Sequence, residues 1–231
     1  MPEPPRQLAL SLGFRERFGR EDFLAGPSNA AALALIERWP DWPARAVALV
    51  GPEGAGKSHL AAIWAETAGA RAIAAHALTS SSVPAALATG ALVVEDLRAG
   101  ICEEAALFHL LNLVREQEAF LLITARTAPA GWATGLRDLA SRLRALPTVT
   151  LAAPDDALLR AVLVKLFADR QLAVGAELIG FLAARIERSF AAARVIVDEL
   201  DRAALQERRE VNRTLAAELL RTRGRRITDL P

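Results

Sequence analysis

At 231 residues the chain is long enough for one α/β domain with a smaller appendage, and too short for much more. Hydrophobic residues make up 52% of it and charged residues 24%, with alanine and leucine abundant, a globular and helix-favouring composition. Its 28 basic and 27 acidic side chains leave a net charge of +1, so nothing global draws it onto nucleic acid or an anionic membrane, and a lone cysteine, Cys102, rules out an intrachain disulfide. The start, Met1-Pro2-Glu3-Pro4-Pro5-Arg6, lacks the basic-then-apolar pattern of a signal peptide. Glu37, Glu66, Arg115 and Glu118 interrupt the apolar runs before they approach the roughly 20 residues of a spanning helix. A cytoplasmic protein with no membrane partner is expected.

In chain order, residues 1–14 read as a flexible tail, because Pro2, Pro4 and Pro5 disfavour helix and leave the segment extended. Residues 15–153 alternate short β-like runs with amphipathic helical stretches, the pattern of a parallel sheet covered by helices. The predicted strands are Arg45–Val50, Arg71–Ala75, Ala91–Glu95, Ala119–Ala125 and Thr148–Leu151. Between the third and fourth, Leu107, Leu110, Leu111 and Val114 recur at helical spacing within Glu103–Gln117. Residues 154–231 carry only helix-period segments, over Asp155–Arg170, Ala176–Glu187, Ala191–Arg209 and Arg213–Arg221. Pro154 followed by Asp155 reads as a helix start, and this all-helical unit of about 75 residues is of ordinary size for a small domain.

Gly51-Pro52-Glu53-Gly54-Ala55-Gly56-Lys57-Ser58 matches G-x-x-x-x-G-K-[ST] in full, between the apolar run Ala46–Val50 and a helix beginning near Lys57. That is where the chemistry of ATP or ADP binding requires it. The glycines let backbone N–H groups curl around phosphates, and the helix N-terminus adds its dipole. Lys57 is placed to reach the β- and γ-phosphates, and the Ser58 hydroxyl to ligate Mg²⁺. The alternative is a Gly-rich turn that binds nothing. A complete motif with both a strand before it and a helix after it argues against that.

Ala91-Leu92-Val93-Val94-Glu95-Asp96 is an apolar strand ending in two carboxylates, the Walker B form. Beside a phosphate loop, such a strand delivers one carboxylate to Mg²⁺ and the next to the attacking water. Glu95 stands where an aspartate is usual, so it is the expected metal ligand on a longer arm. Asp96 takes the place of the water-activating acid.

With these two motifs and a helical second unit, the chain resembles AAA+ ATPases and, among them, the DnaA-like branch. The resemblance implies a P-loop NTPase αβα sandwich with a parallel five-stranded sheet, followed by a small all-helical lid. Phe23-Leu24-Ala25-Gly26-Pro27-Ser28-Asn29 is similar to the branch's leading segment, which implies adenine contact by Phe23 and Leu24. Gly56-Lys57-Ser58-His59-Leu60 resembles its G-K-[ST]-H-L form, which adds His59 to the nucleotide site. Leu122-Ile123-Thr124 resembles sensor 1, implying that Thr124 contacts the γ-phosphate or the water. Asp138-Leu139-Ala140-Ser141-Arg142-Leu143 is similar to box VII, where Arg142 matches an arginine finger reaching a neighbour's nucleotide. Ala193-Arg194 resembles sensor 2, implying that Arg194 touches the nucleotide in cis.

The chain stops at Pro231, which leaves no room after the lid for the initiator's helix-turn-helix domain. Only His76 to Gly90 spans the gap where the initiator carries a DNA-gripping insertion. Direct sequence-specific DNA binding is therefore not expected. Gln7-Leu8-Ala9-Leu10-Ser11-Leu12 resembles the Q-L-x-L-x-L peptide that binds the bacterial sliding clamp. Physically, Gln7 suits a polar subsite, and Leu8, Leu10 and Leu12 suit apolar pockets. The combination resembles the regulatory inactivators of DnaA. It implies a negative regulator of replication initiation, tethered to the clamp, that applies Arg142 to the nucleotide of DnaA. Its own ADP or ATP would set its shape, with weak intrinsic turnover; a homodimer is left open. A helicase loader is the alternative, and Gln7–Leu12 argues against it. A small-molecule kinase ranks lower because of the C-terminal helical unit, and a DNA-binding truncated initiator because of the near-zero net charge.

His59, His76 and His109 share no ligand spacing, and Cys102 has no evident base beside it. Trp39 and Trp42, flanked by Pro40 and Pro43, are expected to pack a loop on the core. Arg221, Arg223, Arg225 and Arg226 read as a solvated helix C-terminus.

Overall fold

The computed structural model describes residues 18–228, with side chains as far as 223. The proposed clamp peptide Gln7–Leu12 and the arginines at 225 and 226 therefore lie outside what can be described of side chains. The chain divides into two compact units, residues 18–155 and residues 156–228.

In chain order the first unit runs α1 (Ala30–Glu37), β1 (Ala46–Val50), α2 (Lys57–Ala68), β2 (Arg71–Ala74), α3 (Val83–Ala86), β3 (Ala91–Leu97), α4 (Glu104–Glu116), β4 (Phe120–Ala125), α5 (Arg137–Ala145) and β5 (Thr148–Thr150). Every strand pairing is parallel, in the order β2-β3-β4-β1-β5. The five predicted strands are all present within two residues of their expected ends, and β3 runs past Glu95 through Asp96 to Leu97.

The strands are near-continuous apolar runs because both faces of the sheet are covered. Along β1, Val47 and Leu49 face one core and Ala48 and Val50 the other; along β4, Leu122 and Leu121/Ile123 divide the same way. α1 and α2 cover the first face with Leu33, Ile36, Leu60 and Trp64. α4 and α5 cover the second with Leu107, Leu110, Leu139 and Leu143. The first face also takes Trp42, stacked on Trp64 at 4.8 Å, with its Nε1 donating to the Leu35 carbonyl at 2.8 Å. The chain moves one way along the sheet over the α2 face and back over the α3, α4 and α5 face, as right-handed crossovers demand. β1 and β4 are neighbours whose following helices depart to opposite faces. A crevice outside their carboxyl ends follows, the position where such sheets bind ligands.

The second unit holds α6 (Asp156–Asp169), α7 (Ala176–Ala183), α8 (Phe190–Glu207) and α9 (Arg213–Thr228) around Leu159, Leu163, Phe167, Leu182, Ile196 and Leu200. Ser189 caps α8, its Oγ accepting from the Ala192 amide at 3.1 Å. That cap needs an extended residue (φ −144°), so the chain leaves α7 at Ala183 instead of continuing to Glu187 as expected. α9 runs beyond the expected Arg221 to Thr228. The Arg170 guanidinium, nearly buried, pairs with Asp198 and ties the end of α6 to α8. Among the described residues no helix is long and apolar enough to cross a membrane.

Candidate nucleotide-phosphate site

The loop between β1 and α2 is fixed at both ends of the crevice. The Gly51 amide donates to the Ala125 carbonyl at 3.1 Å, carrying the β1–β4 pairing into the loop. A Cβ at Gly51 would stand 2.3 Å from the Leu151 carbonyl oxygen, so only glycine fits between the ends of β1 and the edge strand β5. Gly54 (φ 71°) and Gly56 (φ 96°) adopt left-handed backbone, which glycine enters at no steric cost. Gly56 is also the residue before α2, so the helix's orphan first amides and the positive end of its dipole face the loop.

Lys57 is 7% exposed, and its Nζ donates to the carbonyls of Gly51 (2.9 Å) and Pro52 (2.7 Å). Two of three ammonium donors are thereby engaged. Burial holds this amine below the ordinary lysine range, opposed chiefly by the Asp96 carboxylate. Ser58, next on α2, is exposed.

The acidic pair is shaped by a bulge. β3 and β4 pair in step as far as Val94 with Ile123 and resume at Leu97 with Ala125, so Glu95 and Asp96 stand opposite the single residue Thr124. Asp96 takes φ 55°, and its amide donates to Thr124 Oγ1 at 3.0 Å. Thr124 is fully buried, Glu95 half-buried and Asp96 exposed. Burial first, and the Asp96 charge second, push the Glu95 carboxyl up from its ordinary range.

Phe23 is buried and meets the His59 ring edge-to-face at 5.2 Å, as Phe18 does from another side. His59 Nε2 lies 3.0 Å from the Gly19 carbonyl. The structure thus places His59 under the leading segment, with its ring turned to Phe18, Gly19 and Phe23. Asn29, 1% exposed, braces that segment: its Oδ1 accepts from the Gly26 amide (2.8 Å), and its Nδ2 donates to the Leu24 carbonyl (3.0 Å). Ser28 Oγ is buried without a hydrogen-bond partner among the described residues.

Arg142 lies half-buried on α5 with its guanidinium 5.3 Å from the centre of the Phe108 ring on α4. Arg194 is half-buried near the start of α8, in the second unit. Cys102, half-buried beside Glu103, is a free thiol pushed up by burial and then by the Glu103 charge.

Two residues went unremarked in the sequence. Arg126, just past β4, forms a 2.5 Å ion pair with Glu53 of the loop. Glu104 opens α4, and its carboxylate accepts from the amides of Gly135 (3.0 Å) and Leu136 (3.2 Å), fixing the approach to α5. A cation two residues beyond Thr124, at a strand end beside the phosphate loop, is the one local signal that could have marked Arg126.

Comparison with known families finds no matching family, and no curated protein matches the sequence. Solved structures do match. Domain III of the Thermotoga maritima replication initiation protein DnaA is 18% identical, with TM-score 0.71, over 89% of this chain and 96% of that one. The AMPPCP-bound DnaA of Aquifex aeolicus is 18% identical, with TM-score 0.62, over 81% and 68%. The Thermotoga maritima RuvB Holliday junction branch migration motor is 16% identical, with TM-score 0.69, over 89% and 72%. At such identities the likeness shows the fold alone: this chain has the fold of DnaA domain III and of RuvB.

Proposed function

We propose that this chain binds ADP or ATP at Gly51–Ser58 and acts as a negative regulator of replication initiation. The observation that carries the nucleotide reading is the phosphate loop itself. Left-handed glycines, a glycine that no Cβ could replace, the buried Lys57 and a helix N-terminus meet at the carboxyl ends of β1 and β4. Lys57 needs only to exchange the loop carbonyls for phosphate oxygens. Phe23 and Leu24, held by the Asn29 brace, would take the adenine, and the Ser28 hydroxyl is a spare polar group beside them. Arg194 would approach the nucleotide from the helical unit, which would then serve as the lid.

Ser58 and Glu95 would hold Mg²⁺. An ion of that kind is ordinarily held by one or two protein oxygens together with phosphate and water. When bound, such an ion neutralises charge on the β- and γ-phosphate oxygens. Asp96 and Thr124 would orient a water, and Glu95, a longer acid where an aspartate is usual, suits weak intrinsic turnover.

The regulatory reading draws on the likeness to DnaA domain III, together with Gln7–Leu12 and Arg142. Gln7, Leu8, Leu10 and Leu12 would engage the sliding clamp. Arg142 would leave the Phe108 ring, a contact of about 0.5–2 kcal/mol, and place positive charge on the nucleotide of DnaA. The test is ATP hydrolysis by DnaA with this protein added, with and without DNA-loaded clamp. Clamp-dependent stimulation, lost in Arg142→Ala and in Gln7→Ala/Leu10→Ala, is the expected result. Absence of stimulation by a protein that binds nucleotide would overturn the regulator and favour the helicase loader.

A further inference from the structure

The geometry points to Arg126 as an additional phosphate-contacting residue, held over the rim of the phosphate loop by Glu53 and released to the terminal phosphate of a nucleoside triphosphate. This rests on reading Gly51–Ser58 as a nucleotide site and adds to it a residue that discriminates triphosphate from diphosphate.

Backbone placement comes first. Ala125 is paired with Val50 in the sheet, and its carbonyl accepts from the Gly51 amide. Arg126 therefore leaves β4 alongside the first residue of the loop, and no rearrangement of the strand is needed to bring it there. Its side chain then crosses outward to Glu53, the third residue of the loop, at 2.5 Å. Loop amides enclose the inner phosphates, so a cation on the outer rim meets the outermost one.

The second consideration is the strength of the restraint. The Arg126 and Glu53 side chains are 66% and 72% exposed. Exposed pairs are worth little, because both partners are well solvated and the two long side chains lose freedom to meet. Glu53 thus keeps the guanidinium at the rim without locking it. A terminal phosphate, which carries about two charges and offers three oxygens in pairs to a guanidinium fork, is a stronger partner than one solvated carboxylate.

The experiment is equilibrium binding of ADP and of AMPPCP to the full chain, in the wild type, Arg126→Ala, Arg126→Lys, Glu53→Gln and Lys57→Ala, with circular dichroism confirming folding. Arg126→Ala is expected to weaken AMPPCP about tenfold and ADP less than about twofold, as removal of one charge-assisted contact to the terminal phosphate predicts. Glu53→Gln frees the guanidinium and is expected to tighten AMPPCP by about threefold. Arg126→Lys should fall between wild type and alanine. Equal losses for both nucleotides in Arg126→Ala, with weakening in Glu53→Gln, would show a loop brace and overturn the inference, as would no change in either. Failure of the wild type to bind either nucleotide would overturn the site reading as well, and Lys57→Ala separates the two: it should lose both ligands whether or not Arg126 discriminates.

Discussion

The amide of Asp96 donates a hydrogen bond to Oγ1 of Thr124 at 3.0 Å, so the acid at the end of β3 and the hydroxyl at the end of β4 form one unit. The bond closes the bulge in which Glu95 and Asp96 oppose a single residue, and it supports a positive φ at Asp96 that the strand would not otherwise hold.

Thr124→Val keeps the shape of the side chain and removes the acceptor. The Asp96 amide is left without its partner in a partly buried position, at a cost of about 1–2 kcal/mol. Urea denaturation of the wild type and the valine variant measures this. Equal midpoints and slopes would show that the bulge does not depend on the hydroxyl.

Gly51, at the root of the phosphate loop, and Gly69, at the end of α2, should respond differently to alanine. Gly51→Ala drives a Cβ to within 2.3 Å of the Leu151 carbonyl, a clash with backbone that the sheet edge must absorb, at about 2–3 kcal/mol. Gly69→Ala meets nothing within 4 Å and suffers only from its φ of 61°, about 1 kcal/mol. Thermal unfolding of the pair should rank Gly51→Ala as the less stable. The reverse order would mean that the loop yields freely at its root.

Glu95 has its carboxyl raised in the folded protein, by burial and then by Asp96, so the fold favours the protonated form. The associated stability is present below the ordinary glutamate range and is lost as pH rises through the raised value. Glu95→Gln, which cannot ionise, should therefore gain stability relative to wild type as pH climbs through that window, and level off above it. Unfolding free energies at several pH values test the sign. A difference that is flat with pH would show that Glu95 is not destabilised in its charged form.

Glu104 behaves oppositely. The Thr134 hydroxyl first, with the Gly135 and Leu136 amides, holds its carboxyl below the ordinary range. The stability it contributes is present above that range and fades as pH falls through the lowered value. Glu104→Gln should loosen residues 134–138, where α5 and hence Arg142 are set. Protection factors against hydrogen exchange at the amides of Gly135 and Leu136 should fall in the variant at neutral pH and in the wild type in acid. Unchanged exchange would remove Glu104 from the positioning of α5.

The strands, the phosphate loop and the all-helical second unit are legible in the linear chain because each follows a local rule. Apolar runs such as Val47–Val50 and Leu121–Ala125 are readable when both faces of a sheet are covered, and the loop needs glycines at fixed offsets before a helix, whatever lies elsewhere. The partners around the site come instead from segments far apart in the chain. The bulge depends on a hydroxyl that β4 brings beside β3, and Arg126 meets Glu53 across 73 residues of chain. His59, adjacent in sequence to the phosphate-loop serine, turns instead to Gly19, 40 residues earlier. The resemblance supplied Arg142 from its motif, while the Phe108 ring beneath it and the Glu104 carboxylate that sets its helix come from the packing of α4 against α5. Spacing along the chain reports which residues share an element; which elements meet, and which side chains then find a partner, is fixed by long-range packing that no short window contains.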